Sequence, residues 1–478
     1  MKYNFSHASK SLFSNFFKVI AKNGSLVTLG SKGIYPSLAS LFNILGFRLF
    51  GAVFTGKGKY TSRIKQLNAF RLHLYHMYGH HGASYVVKYL KTSQLAIQKA
   101  IAGNPVSSLR VLDPSVPFPY LSNDGLPRFI PIRDRKLMLH RSSSVIRWWL
   151  TLYSVYRVIS IPGILKLATI TDGLTANKAT IIEVAAEITK VITPAMYDVD
   201  GLRGSARFLF LESASATGKV AWMGIFSDVH ALKAGPQFQY LLEFLSLTGN
   251  YGLGRFLAYL GQQIPIDHGY PSSLTANGGV FKTSPLGRLA LKTEAAGKIR
   301  VFAMVDVWTQ SVLHPIHDML FKFLKRLPND ATFDQTASVR RSMTKAALTG
   351  KSFGYDLSAA TDRLPIILQQ EILDTVLPGL GSLWARILVE RPYQLKEAKV
   401  LRNLHYAVGQ PMGALSSWAM LAVTHHYTAQ LAAIRVANRQ SGLHGPFWIH
   451  TPVDLQTFNM EAPWYTGYEV LGDDIIFF

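Results

Sequence analysis

The chain has 478 residues, 48% of them apolar, so it can fold as two or three domains or as one large multi-subdomain enzyme, and it is not a disordered protein. It contains no Cys, which excludes a disulfide framework, Cys-ligated zinc and thiol catalysis. The formal net charge of +22 indicates a polyanionic partner.

The positive charge is concentrated at the N-terminus. No Asp or Glu precedes Asp113, and residues 1–112 contain fifteen Lys or Arg, so this segment alone carries +15. Tyr, Phe and His are interleaved with these cations, and this combination favours RNA over an anionic membrane surface or a merely solvated face. We expect residues 1–112 to form a basic, mostly helical region.

No membrane insertion is expected. The most apolar stretch, Ile34 to Phe54, is interrupted by Pro36, Asn43 and Arg48, and therefore predicts a soluble helix pair. The first 24 residues are Ser-, Phe- and Lys-rich like a mitochondrial presequence. Because the acid-poor composition continues far beyond them, we do not predict a cleaved signal.

Apolar residues at three- and four-residue spacing predict a helix from Arg63 to Ala102, with breaks at Gly79 and Gly82. Four histidines lie on it at i, i+3, i+7 and i+8: His73, His76, His80 and His81. No carboxylate or Cys lies near them, so a polar or RNA-facing helix side is favoured over a metal site.

Five prolines between Pro114 and Pro131 exclude regular helix or central strand and predict a subdomain boundary there. Beyond it, Trp148, Trp149 and Tyr153 at helical spacing indicate a core stripe. Residues 165–260 read as mixed helices without a recognisable chemical motif, and Pro265 to Pro285 reads as a loop-rich segment.

A strand with two cations follows this loop. Alternation places Lys298 and Arg300 on the same face of an extended segment, where both could bind one triphosphate. A solvated strand edge explains the same pattern.

Two acidic stretches follow. Phe353 to Asp356 predicts a short strand that ends on Asp356; a turn from Ala359 to Asp362 and a helix from Leu364 to Val376 come next. The last eight residues, Leu471 to Phe478, predict strand, tight turn and strand around Asp473 and Asp474.

Three carboxylates brought together in this way would raise one another's pKa values and require neutralisation by a divalent cation. An Asp at a strand end beside a hairpin with two more is what two-metal phosphoryl transfer needs, so we expect the site to depend on two divalent ions, Mg²⁺ or Mn²⁺.

Between the acidic stretches lies a Gly-rich loop, Gly409 to Gly413, followed by Ser416, Ser417 and a helix from Trp418 to Ala432. Such a loop can bring backbone amides and hydroxyls to a ribose or phosphate. An ordinary Ser-capped helix start is the alternative.

Together these stretches resemble the viral RNA-dependent RNA polymerases, most closely the mitovirus branch of the narnavirus-like group. The resemblance rests on four blocks in the family's order, and it extends to the segment Asp330–Gln335. The blocks are Gly297–Arg300 with Asp306, Thr309 and Gln310; Asp356–Arg363; Gly409–Gly413 with Ser416, Ser417, His425 and His426; and Gly472–Asp474.

The resemblance implies an α+β right-hand fold: a basic helical region over 1–112, fingers over 113–349 and palm over 350–478, with the thumb largely missing. It implies that the protein synthesises RNA from NTPs on an RNA template. In this way it would replicate a positive-strand viral genome in host mitochondria. It also implies that Asp356 and Asp473 ligate the metal ions, with Asp474 assisting. Lys298 and Arg300 would bind the triphosphate, while Asp362, Gly413, Ser416 and Ser417 would bind the rest of the nucleotide.

Two features depart from the family pattern. Leu421 stands where polymerases of the picornavirus type have an Asn, so ribose recognition would depend more on Asp362 and Ser417. The family's later palm motifs and thumb would lie beyond Phe478, so we expect the chain to be a fragment of a longer protein.

Two alternatives remain open. A reverse transcriptase is expected to place a bulky aromatic residue five positions after the first Asp, where it excludes a 2′-hydroxyl sterically. This chain has Thr361 there, followed by Asp362, which favours RNA synthesis over reverse transcription. A truncated or endogenised relic that binds RNA without catalysis would retain the charge and the fold.

Overall fold

The computed structural model describes residues 60–116, 121–264, 285–397, 400–440, 455–456 and 464–478. The Ile34–Phe54 segment, the presequence-like N-terminus and nearly all of the Pro265–Pro285 loop lie outside these residues. Two compact units are present, one comprising residues up to Leu165 with Lys292–Arg300, the other Lys166–Leu291 with Val301–Phe478. Among the described helices, none has the length and apolarity needed to cross a bilayer.

The first unit is helical. Its α-helices are α1 (Tyr60–Ile101), α2 (Ile132–Leu139) and α3 (Ser143–Tyr153), with short 3-10 helices at Leu109–Val111, Ser154–Val158 and Ala295–Gly297. Helix α1 is bent at Gly82, whose φ of 77° is not helical, whereas the predicted break at Gly79 is absent. One core joins α1 to α3, and Trp148, Trp149 and Tyr153 are buried in it as predicted.

The same core extends across the predicted boundary. Residues on both sides of the proline-rich stretch, from Leu67 to Ile161, pack into the same core. Asp134 is buried there and accepts hydrogen bonds from Arg63, Gln66 and Trp149. The compact units divide after Leu165, and the first unit includes residues on both sides of this stretch.

The second unit is a mixture of helices and sheets. Its α-helices are α4 (Ala168–Thr171), α5 (Lys178–Thr189), α6 (Ile225–Lys233), α7 (Gln237–Leu247), α8 (Tyr251–Gln263), α9 (Val307–Arg326), α10 (Gln335–Thr349), α11 (Ala360–Arg363), α12 (Ile366–Val376), α13 (Leu380–Val389) and α14 (Ser417–Gln440). Three 3-10 helices lie at Pro194–Met196, Asp200–Leu202 and Ala221–Gly224.

The strands are β1 (Gly287–Thr293), β2 (Ile299–Val305), β3 (Phe353–Asp356), β4 (Tyr393–Glu397), β5 (Val400–Leu404), β6 (Leu455–Gln456), β7 (Trp464–Tyr465), β8 (Tyr468–Leu471) and β9 (Asp474–Phe477). They form sheets of order β2-β1-β4-β5, β3-β9-β8 and β6-β7. In the second of these sheets, β9 pairs antiparallel with both neighbours.

Most predicted elements around the acidic stretches are present, with shifted bounds. The predicted turn at residues 359–362 is the single helical turn α11, and the helix predicted from Leu364 begins at Ile366, because Pro365 serves as its N-cap. Helix α14 extends past the predicted end at Ala432 to Gln440.

Candidate active site

The hairpin of β8 and β9 presents Asp473 and Asp474 at a turn that helix α14 supports. Gly472 has a φ of 61°, and a Cβ there would lie 3.0 Å from the indole Nε1 of Trp418. His425 donates from Nδ1 to the Gly472 carbonyl at 2.8 Å. Only Gly satisfies both the positive φ and the close indole, so the turn is fixed by sequence and by packing.

Strand β3 brings the third carboxylate to this turn. In the antiparallel register, Asp356 lies directly opposite Asp474, which also pairs with Leu471 on the other side. The Leu357 amide donates to the Asp473 carbonyl at 3.2 Å, so the pairing continues past the strand end. The structure therefore brings together the three Asp residues that the sequence predicted as one site.

The three carboxylates are at least partly accessible to solvent. Asp356 and Asp474 are exposed and Asp473 is half-buried, because β3 is an edge strand and the turn projects from the sheet. The pKa of Asp474 is raised, first by partial burial and then by the charges of Asp473 and Asp356. The expected mutual repulsion is thus present at Asp474, although none of the three carboxylates is fully buried.

The donor set suits a divalent cation. Three carboxylates offer the oxygen ligands that Mg²⁺ and Mn²⁺ prefer, and their like charges favour a bound cation. Among the described residues, however, no group of three His, Cys, Asp or Glu side chains is already placed to hold a metal ion. The chemistry of the site therefore fits a metal, although its side chains are not arranged as a finished coordination shell.

A buried charge cluster supports the hairpin from behind. Glu469 on β8 is 3% exposed and pairs with Arg341 at 2.6 Å and Lys345 at 2.8 Å, both on α10. Burial alone would raise the pKa of Glu469, but the hydrogen bonds from Arg341, Lys345 and Ser338 lower it. Helix α10 is thereby fastened to the strand that leads into the Gly472 turn.

The segment Asp330–Gln335 has a related structural role. The Ala331 amide donates to the Val470 carbonyl, and Asp330 forms a parallel bridge with Val470, so the segment lies along β8. The Asp330 carboxylate contacts His426 at 3.1 Å, while the other His426 nitrogen contacts the Tyr468 hydroxyl at 2.9 Å. These contacts join α14, β8 and the segment in one buried network.

The Gly-rich loop does not present its amides as predicted. The Gly409 and Gln410 amides donate to the carbonyls of Asp362 and Thr361, so they hold α11. A Cβ at Gly409 would collide with those backbone atoms. Similarly, the Ala303 amide donates to Met412, and a Cβ at Gly413 would meet the Ala303 carbonyl. The glycines allow close backbone packing.

The two serines differ in what they can bind. The Ser416 hydroxyl is buried and accepts a hydrogen bond from Trp384 Nε1 at 2.8 Å, so its predicted contact with substrate is not supported. Ser416 has a φ of 71°, and its amide donates to His317. The Ser417 hydroxyl is buried and has no partner among the described residues. Ser417 is therefore the better candidate.

Asp362 is half-buried, and its Oδ2 accepts a hydrogen bond from the Thr169 hydroxyl at 2.8 Å. Burial raises its pKa, against the lowering effects of Thr169 and Arg363. Thr169 lies in the region to which the sequence assigned no role.

Lys298 and Arg300 lie in the first unit, at the end of the β1–β2 hairpin, and both are exposed as alternation predicted. Arg300 pairs with Glu294 at 2.8 Å. The hairpin tip contains Ala296 in a left-handed conformation, and its amide donates to the Ile159 carbonyl.

A buried cluster in the second unit surrounds Asp306 and Thr309, two residues of the first sequence block to which no role was assigned. Asp306 caps α9 through the Thr309 amide and pairs with Arg391 at 2.8 Å, with both side chains fully buried. Asp228 accepts hydrogen bonds from the Val307 amide and the Thr217 hydroxyl. Burial, followed by the charge of Asp306, raises the pKa of Asp228 to about 7. Asp228 and Arg391 lie far from Asp306 in the sequence, and no local pattern links them to it.

Strained backbone coincides with the predicted blocks. Four non-Gly residues with positive φ occur among the described residues, namely Arg141, Ala296, Ala359 and Ser416, and the last three lie in or beside predicted blocks. Such conformations persist only where surrounding structure enforces them, and they concentrate at functional sites.

Comparison with known proteins identifies the family of this chain. The sequence model of the mitovirus RNA-dependent RNA polymerase family matches residues 203–442, half of the chain, which include Asp356 and Asp362 but end before Gly472. The chain is 30% identical over 415 residues to the RNA-directed RNA polymerase of Cryphonectria parasitica mitovirus 1. That alignment covers 84% of this chain and 46% of the viral protein. This chain belongs to the mitovirus RNA-dependent RNA polymerase family.

Two uncharacterized mitochondrial proteins of Arabidopsis thaliana are also similar. They are 31% and 29% identical over 159 and 160 residues, which is 32% of this chain in each case and 53% and 64% of those proteins. The chain spans about half the length of the viral polymerase that it matches.

Proposed function

We propose that this chain carries the catalytic part of an RNA-directed RNA polymerase that copies a positive-strand viral RNA from NTPs. The observation that carries the proposal is the register that sets Asp356 opposite Asp474, beside the Gly472 turn, in a chain of the mitovirus polymerase family. In this proposal the second unit contributes the palm of a right-hand fold from about residue 350, and residues 113–349 contribute the fingers.

Asp356 and Asp473 would hold two Mg²⁺ ions, with Asp474 assisting. When bound, these ions supply Lewis-acid activation of the RNA 3′-hydroxyl and neutralise charge on the leaving pyrophosphate. The chain's own contribution is to hold the carboxylates on a rigid hairpin, which His425, Trp418 and the Glu469 cluster keep in place.

The nucleotide would be bound by groups from several blocks. Asp362 and Ser417 offer a carboxylate oxygen and an unpaired hydroxyl for the ribose, and Lys298 and Arg300 offer charge for the triphosphate. Gly413 and Ser416 serve by shaping the loop, because the hydroxyl of Ser416 is already bonded to Trp384.

The proposed partners and location are supported by the charge of the chain and by its relatives. RNA template and product are the proposed partners, and the N-terminal charge of residues 1–112 suits them. A mitochondrial location is proposed because a mitovirus protein and two mitochondrial plant proteins are similar to this chain.

The test is Mg²⁺-dependent, template-directed incorporation of labelled NTPs by the chain, with RNA binding measured in parallel. The Asp356→Ala variant should lose incorporation and retain RNA binding. Asp200→Ala is the matched control, because Asp200 is almost fully exposed in the same unit. RNA binding without incorporation by the unaltered chain would instead favour the catalytically inactive relic.

A further inference from the structure

The side chain and the backbone of Asp362 are held by two different parts of the chain. The Thr169 hydroxyl donates to Oδ2 at 2.8 Å, although the two residues are 193 positions apart. The Gly409 amide donates to the Asp362 carbonyl at 2.9 Å. Among the described residues, Oδ1 accepts no hydrogen bond, so one carboxylate oxygen is committed and the other is available.

The helix that carries Thr169 is itself fastened to the same site. Arg363, the neighbour of Asp362, donates to the carbonyls of Asp172 and Gly173 at 2.6 and 2.9 Å. The Ala407 amide, just before the Gly-rich loop, donates to the Ile170 carbonyl at 2.9 Å. The chain that directly follows Thr169 is therefore bound at three carbonyls to the segments that form the Asp362 environment.

Two residues near the start of helix α14 give Asp362 no hydrogen bond among the described residues. Leu421 is apolar and 2% exposed, and the hydroxyl of Ser416 is engaged by Trp384. A carboxylate with free rotation would place either oxygen outward, whereas one oxygen held by a hydroxyl fixes the rotamer and the direction of the other.

We infer that Thr169 is a positioning residue that holds Asp362 through Oδ2, so that Oδ1 is directed to accept a hydrogen bond from the sugar hydroxyl of a bound ribonucleotide. This inference rests on the proposed function for the ribose contact, but the Thr169–Asp362 bond itself does not depend on it. It gives helix α4, in a region without recognisable motifs, a role in sugar discrimination.

The bond is tested by titrating Asp362 in the full chain with ¹³C-carboxyl NMR, the signal being assigned with Asp362→Asn. The charged group Arg363 and the Tyr406 phenol also act on this carboxylate or lie near it, and both stay unchanged in the variants. Thr169→Val should raise the pKa of Asp362, and Thr169→Ser should restore it. An unchanged pKa in Thr169→Val would overturn the inference.

The role is tested by the ratio of affinities for ATP and 2′-deoxy-ATP, measured with template–primer RNA and Mg²⁺. Thr169→Val should reduce this ratio about tenfold, the value of one charge-assisted hydrogen bond, and Thr169→Ser should retain it. Thr171→Val is the matched control, since the Thr171 hydroxyl is exposed and donates to Leu167 of its own helix.

The two failures can be told apart. A raised Asp362 pKa with an unchanged affinity ratio would overturn the positioning role while leaving polymerisation intact. An absence of templated incorporation by the unaltered chain would overturn the proposed function, whereas both measurements on Thr169 require binding only.

Discussion

Asp356 lies directly across the β3–β9 pair from Asp474, so a strand and a hairpin separated by more than a hundred residues present their carboxylates at one edge. This placement depends on the backbone register alone, because a shift by one residue would move Asp356 to the opposite face of the sheet. The residues that stabilise this register, at the Gly472 turn and in the Glu469 cluster, are therefore the first to substitute.

The Gly472 turn should be intolerant of any side chain. Gly472→Ala adds a Cβ at positive φ and within 3.0 Å of the Trp418 indole. Gly350→Ala is the matched control, because Gly350 has a φ of 70° with no atom within 4 Å of the added Cβ. Urea denaturation should show a loss of roughly 1 kcal/mol for Gly350→Ala from backbone strain alone, and a larger loss for Gly472→Ala. Equal losses would mean that Trp418 does not restrict the turn.

The Glu469 cluster should be worth far more than a surface ion pair. Glu469→Gln leaves Arg341 and Lys345 without their buried partner, so the free energy of unfolding at pH 7 should fall by roughly 3 kcal/mol. Since the pKa of Glu469 is lowered, the stability that its ionised form provides is present at neutral pH and lost as the pH falls through that pKa.

The control for this cluster is Glu397→Gln, which breaks the more exposed pair with Arg402 at 3.7 Å. Its loss should stay within about 0.5 kcal/mol. A comparable loss in both variants would contradict the role of Glu469 in fastening α10.

The buried Asp228 should make stability decrease with rising pH. Its folded pKa of about 7 lies above the ordinary value of 3.8, so the associated stability is present below pH 4 and lost as the pH rises through about 7. Asp228→Asn imitates the protonated form. Its free energy of unfolding, measured by chemical denaturation, should therefore rise relative to that of the unaltered chain as the pH increases from 5 to 8. A stability difference that is independent of pH would show that Asp228 is ionised throughout.

The basic N-terminal region should bind RNA through salt-sensitive contacts. Replacing Lys91 and Lys99, exposed on α1, by Glu should weaken RNA binding and reduce the slope of log K against log salt by about one to two. Lys178→Glu with Lys219→Glu makes the same charge change at exposed positions of the second unit. Equal effects of the two pairs would show that the α1 face has no special affinity.

The sequence was informative where a local pattern determines local structure. The strand that ends on Asp356, the hairpin around Asp473, and the bend at Gly82 follow from turn residues and alternation. The extent of the first unit does not, because residues on both sides of the proline-rich stretch pack into one core that only the folded chain reveals.

The details of the candidate site depended on contacts between distant residues. Ser416 looked like a substrate ligand because nothing in its own stretch reveals that Trp384 occupies its hydroxyl. The Thr169–Asp362 bond and the Asp306–Arg391 pair, separated by 193 and 85 positions, likewise have no periodic signal. Hydroxyls and isolated charges acquire their roles from tertiary neighbours.

The most direct test is the rate of Mg²⁺-dependent, template-directed nucleotide incorporation by Asp473→Asn, compared with Asp200→Asn. The amide preserves the size of the side chain and the turn, but it removes the charge proposed to hold the metal ions. Loss of several kcal/mol of transition-state stabilisation predicts a rate lower by about a thousandfold or more, with RNA binding unchanged. Incorporation by Asp473→Asn at the rate of the control would contradict the assignment of this hairpin as the catalytic centre.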